Sequence, residues 1–127
     1  MTLLIDTVAF LWMTGDPERI SRKASTALSS GAKLVFSVAS VWEMAIKHAA
    51  GKLKIPLPPT AFVRQQQEIT GFELLEISLT HVQQFEYLPL HHRDPFDRML
   101  IAQAITERFS IVSSDRELGC YDVDVIW

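Results

Sequence analysis

The chain has 127 residues, enough for one domain with its own core, and a single domain over residues 1–127 is expected. Its composition is 48% hydrophobic, rich for so small a chain, which points to apolar surface reserved for a partner. A net charge of −3 argues against broad electrostatic adhesion to nucleic acid, and one cysteine, Cys120, excludes an internal disulfide and fits a reducing cytoplasm.

In chain order, the apolar run 3–5 reads as a strand and 7–13 as a helix. A helix over 21–29 follows, with Ser21 at its N-cap and Gly31 past its end, then a strand over 33–36. Ser37 is placed to cap a helix over 38–50, closed by Gly51. Beyond the stiff connection Ile55-Pro56-Leu57-Pro58-Pro59 come a helix over 60–70, Gly71, a strand over 72–77 and a helix over 79–87. A strongly apolar helix over 95–108 and strands over 110–113 and 123–127 complete the chain. Strands separated by helices imply parallel pairing and a three-layer α/β architecture. No apolar run nears the ~18 residues of a membrane span, and the first residues lack the basic-then-apolar layout of an export signal. A cytoplasmic protein without a membrane role is therefore expected.

The richest segment is His91-His92-Arg93-Asp94-Pro95-Phe96-Asp97-Arg98-Met99. Proline suits the first helical position, so Asp94 reads as the N-cap and Asp97 as the third helical residue. Three more acids stand at comparable punctuation: Asp6 after the first strand, Glu43 early in the helix after the second, and Asp115 after Ile111-Val112-Ser113-Ser114. In open parallel sheets ligands gather beyond the carboxyl ends of the strands. Four carboxylates gathered there would form a site for Mg²⁺ or Mn²⁺, which take hard oxygen ligands, whereas zinc would recruit His or Cys.

Each acid taken alone has a plainer reading: Asp97 as a first-turn carboxylate, Asp6 as a helix cap, Asp115 as a turn residue beside Arg116. Glu43 stands apart, because Val41, Trp42, Met44, Ala45 and Ile46 surround it. Adjacent histidines diverge and none has a His or Cys at i+4, so His91 and His92 read as a solvated loop. His48 and His81 read as helix-surface residues, and Cys120, with no nearby His, is not a nucleophile.

Taken together, Leu3-Leu4-Ile5-Asp6-Thr7, Ser40-Val41-Trp42-Glu43-Met44-Ala45-Ile46-Lys47, Gly51-Lys52-Leu53, Leu88-Pro89, His92 to Ala104 and Tyr121 to Trp127 resemble PIN-domain toxins of the VapC type, in order and over nearly the whole chain. The resemblance implies a five-stranded parallel sheet of order 3-2-1-4-5, a Mg²⁺- or Mn²⁺-dependent ribonuclease, a cognate antitoxin and a homodimer. It places the family's catalytic and metal-binding acids on Asp6, Glu43, Asp97 and Asp115, with Asp94, Thr7, Ser40 and Ser113 as their supports. Relatives commonly carry His two residues after the first Asp, where this chain has Val8, and threonine where it has Ser113.

The mechanism implied is phosphodiester hydrolysis by a water that the cation activates, with no side-chain nucleophile. RNA contact falls to Lys47, Lys52, Arg93 and Arg98, each with the alternative of an ordinary solvated charge, and unpaired RNA fits a small acidic cleft best. Sequence-specific DNA contact by this chain is not expected. A receiver domain would show an acidic pair after the first strand, and a dehalogenase-type phosphatase Asp-x-Asp, which Asp6-Thr7-Val8 lacks. A catalytically silent fold of the same family, acting as a binding module, is the remaining rival. The run Val8 to Met13 is apolar throughout, so it is either core or a groove in which Phe10, Leu11 or Trp12 awaits an antitoxin segment.

Overall fold

Leu3, Leu4 and Ile5 are each no more than 1% exposed, which only a strand covered on both faces and paired on both sides achieves. In the computed structural model, which describes residues 1–127, this strand, β1 (Thr2–Ile5), is the centre of a sheet ordered β3-β2-β1-β4-β5. The other strands are β2 (Lys33–Ser37), β3 (Glu73–Leu75), β4 (Ser110–Val112) and β5 (Val125–Ile126), and every pairing is parallel. Ile5 lies opposite Phe36 on one side and Val112 on the other, so β1, β2 and β4 end level with one another. That shared end is where Asp6 and Ser113 emerge.

The alternation of side chains along the strands divides the core in two. Leu3 and Ile5 join Phe10, Phe36, Met44, Phe62, Phe72 and Val112 on one face, under α1 (Thr7–Gly15), α2 (Arg22–Leu28) and α4 (Pro59–Thr70). Leu4 joins Val35, Leu100, Ile101, Ile111, Leu118 and Tyr121 on the other, under α6 (Pro95–Glu107), against which α5 (Leu79–Glu86) packs. The helix α3 (Val38–Ala49) leaves β2 directly and contributes Ala39 to one cluster and Met44 to the other. Helix caps act where the sequence places them: Ser21 accepts from the Ala24 amide and Ser37 from that of Ala39. At the end of α4, Gly71 has φ of 76°, a left-handed conformation that a side chain would strain.

The structure corrects several expectations. The strands expected over 72–77 and 123–127 shrink to three and two residues, because each is an edge strand with a partner on one side only. Two 3₁₀ turns, Pro17–Arg19 and Arg116–Cys120, occupy segments read as connections. His81 is 2% exposed rather than on the helix surface: it completes a capping box with Ser78, and its Nε2 lies 2.8 Å from Glu107. Phe10 is core, not groove, stacked on Phe36 with ring centroids 4.1 Å apart. Leu11 and Trp12 are half-buried, with Trp12 packed on Trp127 and beneath the guanidinium of Arg19.

Candidate functional site

Asp6 is the first residue past β1, and its backbone amide still donates to Val112 of β4, which fixes it at the sheet edge. It caps α1, with Oδ1 accepting from the Ala9 amide at 2.7 Å, and it is 4% exposed. Burial is the main reason its pKa rises from 3.8 to about 6; the Asp115 and Glu43 carboxylates add to the rise, and the Ser113 hydroxyl and Ala9 amide oppose it.

Glu43 lies one turn into α3, also buried. Its Oε1 accepts from Thr7 Oγ1 at 2.7 Å, Ser40 Oγ lies 2.9 Å from that hydroxyl, and its Oε2 accepts from Lys47 Nζ at 2.9 Å. The contact with Glu43 is the main reason the Lys47 ammonium is pushed up in pKa. Half of the Lys47 side chain still faces solvent, so this pair orients Glu43 more than it stabilises the fold.

Asp97 sits in the first turn of α6, and Asp94 accepts from the Phe96 and Asp97 amides as the N-cap. Burial first, then the charges of Asp94 and Asp6, raise the Asp97 pKa from 3.8 to about 7, with Glu43 adding and His92 opposing. Asp115 follows β4 and caps the turn Arg116–Cys120, its Oδ1 accepting from the Glu117 amide at 3.0 Å. Its own amide donates to Ser113 Oγ at 3.0 Å. The acids named from the sequence therefore lie close together: the charges of Asp115 and Glu43 help to push up Asp6, and those of Asp6 and Glu43 help to push up Asp97.

Two residues join them unannounced. His92 is half-buried in the cluster rather than in a solvated loop, with Nε2 at 3.0 Å from Asp115, 3.3 Å from Asp97 and 3.6 Å from Glu117. Its ligand atom and those of Asp115 and Glu117 lie within 4.8 Å of one another. Burial lowers its pKa, but the hydrogen bond with Asp115 and the charges of Asp97, Asp115 and Glu117 outweigh that and leave it raised. The signal in the sequence was its place two residues before the N-cap, which aims it along the first turn of α6. Glu117 is exposed and had no signal beyond its nearness to Asp115.

Of the four cations considered for RNA contact, Lys52 and Arg93 are exposed and Lys47 is paired with Glu43. Arg98 is not available: it is 8% exposed and donates to Pro89 O and the Tyr121 hydroxyl. Beside the site, Trp42 is 59% exposed and meets Phe96 edge-on at 5.1 Å, on an apolar groove that Ile77, Phe85 and Met99 also line.

The donor set fits a hard divalent cation. Its acids offer carboxylate oxygens only, and two of them are driven toward neutrality by burial and mutual repulsion, a cost that a bound cation relieves. The ring nitrogens of His92 are both engaged by protein groups, so the histidine does not turn the site toward zinc.

Comparison with known proteins identifies the family and the fold. The PIN domain family matches residues 3–124. Ribonuclease VapC22 of Mycobacterium tuberculosis (strain ATCC 25618 / H37Rv) is 26% identical over 119 residues, covering 92% of this chain and 89% of that protein. Among solved structures, VapBC2 from Rickettsia felis bound to a DNA fragment from its promoter has a chain matching with a TM-score of 0.74 at 12% identity, covering 98% of this chain and 97% of that one. DNA-bound VapBC from Salmonella typhimurium matches at 0.70 and 14%, covering 98% and 96%. At such identities the structural likeness speaks for the fold.

Proposed function

Because this chain belongs to the PIN-domain family, we propose that it is the ribonuclease toxin of a toxin–antitoxin pair, cleaving RNA phosphodiesters with the help of Mg²⁺ or Mn²⁺. The observation that carries the reading is the gathering of Asp6, Glu43, Asp97 and Asp115 at one end of the sheet, two of them with pKa values raised into the neutral range. These four would hold the cation, which when bound supplies an activated water and neutralises charge developing on the phosphate.

The chain's own groups do the rest. Thr7 and Lys47 hold the two oxygens of Glu43 so that its carboxylate cannot rotate away. Asp94 fixes the first turn of α6 and with it the direction of Asp97. Lys52 and Arg93, exposed and free of ion pairs, supply contacts to the RNA backbone, which position the strand without reading its sequence. The acidic site favours unpaired RNA, whose backbone can bend towards it. The antitoxin is a protein partner that covers Leu11 and Trp12 of α1, and a second copy of the chain covers further apolar surface; DNA contact in such an assembly falls to the antitoxin.

The test is cleavage of total RNA by purified protein in Mn²⁺, with Asp6→Asn as the control. Cleavage that needs the cation and vanishes in the variant supports the reading. Metal-independent cleavage, or equal cleavage by the variant, sinks it.

A further inference from the structure

Arg98 is a buried cation whose hydrogen bonds go to neutral oxygens. Its Nη1 donates to Pro89 O at 2.9 Å and to the Tyr121 hydroxyl at 3.2 Å, and its guanidinium carbon lies 5.0 Å from the centre of the Phe85 ring. A charge taken out of water is costly unless its donors are satisfied, so burying an arginine of α6 is an expensive way merely to hold the loop that connects α5 to α6. Tyr121, itself 5% exposed, receives two more donors: the backbone amides of His91 at 3.1 Å and His92 at 2.9 Å. Three N–H groups thus converge on one phenol oxygen, and the loop before α6 is tied at Pro89, His91 and His92.

What hangs from this knot is the His92 ring. Its Nδ1 accepts from the Asp94 amide at 3.0 Å, and a nitrogen that accepts carries no proton. The neutral ring therefore has its proton on Nε2, which faces Asp115 Oδ2 at 3.0 Å. With the Glu117 amide on Oδ1, Asp115 is gripped at both oxygens. The knot fixes the backbone from which the ring hangs; without it the ring keeps only the Asp94 amide and the Asp115 carboxylate, on a main chain free to move.

Resting on the nuclease reading above, we propose that Tyr121, acting with Arg98, is a positioning residue that presents His92 as a single-tautomer N–H donor to Asp115 and so sets the geometry of the carboxylate site for RNA cleavage. The role is indirect: Tyr121 touches neither the acids nor the substrate.

Three variants test it. Tyr121→Phe keeps the ring that packs on His91, at 5.0 Å between centroids, and removes only the oxygen. His92→Gln keeps an N–H donor near the reach of Nε2, and His92→Leu removes it. Nitrogen–proton correlation spectra of the imidazole report the tautomer directly, and hydrogen exchange reports the amides of His91 and His92. At alkaline pH, where the wild-type ring is neutral, the Nε2–H tautomer alone is expected. In Tyr121→Phe both tautomers appear and the two amides exchange faster while β1 keeps its protection. Loss of a group that orients a metal ligand typically costs 10- to 100-fold, so kcat in Tyr121→Phe and His92→Leu should fall by about that factor with KM near the wild-type value, and His92→Gln should recover most of it.

Wild-type kcat in Tyr121→Phe, an Nδ1–H tautomer in the wild type, or His92→Gln as impaired as His92→Leu would each overturn the proposal. If Tyr121→Phe does not fold, Arg98→Met, which opens the same knot at Pro89 and the Tyr121 hydroxyl, is read by the same spectra and kcat, and wild-type values there overturn the proposal. If the wild type cleaves no RNA, the nuclease reading fails by itself, and Mn²⁺ affinity by calorimetry takes the place of kcat: about 10- to 100-fold weaker binding in Tyr121→Phe and His92→Leu sustains the positioning role, and unchanged binding overturns it.

Discussion

The two sides of the acidic site are built differently. On one, Asp6 and Glu43 sit where strands pass straight into helices, both nearly buried, with Thr7 and Lys47 closing on Glu43. On the other, Asp97, Asp115 and His92 stand on a helix start, a 3₁₀ turn and a loop, more open to solvent and held by side chains reaching between segments. Regular elements position the first pair through backbone hydrogen bonds that the sheet makes anyway. The second group depends on specific contacts, each of which one substitution can remove. The first side should be sensitive at its acids and at Thr7, whose one hydroxyl holds Glu43 Oε1, and the second at several supports that share the load.

The largest effect sharpens what the two sides share. Asp6→Asn and Asp97→Asn should each lower RNA cleavage by more than about 100-fold, exceeding the 10- to 100-fold typical of residues that merely support a ligand. Both should melt at or above the wild-type temperature near pH 8, because each removes a carboxylate that burial disfavours. Circular dichroism and cleavage assays check the pair of outcomes, and a variant that loses activity by unfolding would void the assignment. Next comes a break on the rigid side: Thr7→Val frees one oxygen of Glu43 and should weaken Mn²⁺ binding by about 10-fold, measured by calorimetry. An unchanged affinity would mean that Lys47 alone is enough to hold Glu43.

The third prediction concerns pH. Asp6 and Asp97 have folded-state pKa values of about 6 and about 7 against the ordinary 3.8 of a free carboxyl, so between those values the fold holds protons that the unfolded chain has lost. The stability they contribute is full below about pH 3.8 and is lost as pH rises through 6 and 7. After chelation the protein should melt at a lower temperature at pH 8 than at pH 5, and saturating Mn²⁺ should narrow that gap. A melting curve that improves steadily from pH 5 to pH 8 without cation would contradict the cause given for both shifts. The smallest effect falls on the loop-built side: Asp94→Ala should cost about 0.5 to 2 kcal/mol of stability, and Asp94→Ser should restore much of it. Denaturant unfolding of the three proteins measures this, and an Asp94→Ser variant that folds like wild type but has no activity would move Asp94 from cap to ligand.

The same division explains what the sequence could and could not disclose. Strands paired on both sides announce themselves, as Leu3-Leu4-Ile5 does, and so do caps such as Ser37 and turn glycines such as Gly71, because each is a local requirement. The four acids were legible for that reason: each stands just past a strand or in the first turns of a helix. Residues whose place depends on a distant partner were not. His92, His81 and Arg98 carry polar side chains that read as solvated until Asp115, Glu107 and Tyr121 are known to be near them. Phe10 stayed undecided between core and groove, since an apolar run cannot say which of its members faces the sheet. Arg108 ends α6 in a left-handed conformation, φ 61°, where the sequence offers no glycine to mark the stop.

The central place of β1 has a consequence for how such a protein is made. Its neighbours in the sheet are β2, synthesised soon after it, and β4, synthesised near the end of the chain, and Asp6 gains its amide bond to Val112 only then. At about 5 to 20 residues per second, on the order of 5 to 20 seconds separate the emergence of Asp6 from that of Asp115. Throughout that interval the nascent chain carries incomplete cutting machinery while attached to the translation apparatus, itself rich in RNA. Parallel pairing across so long a separation is also slow to form. Connectivity alone thus delays the enzyme until synthesis is nearly over, a safeguard written into the strand order rather than into any single residue.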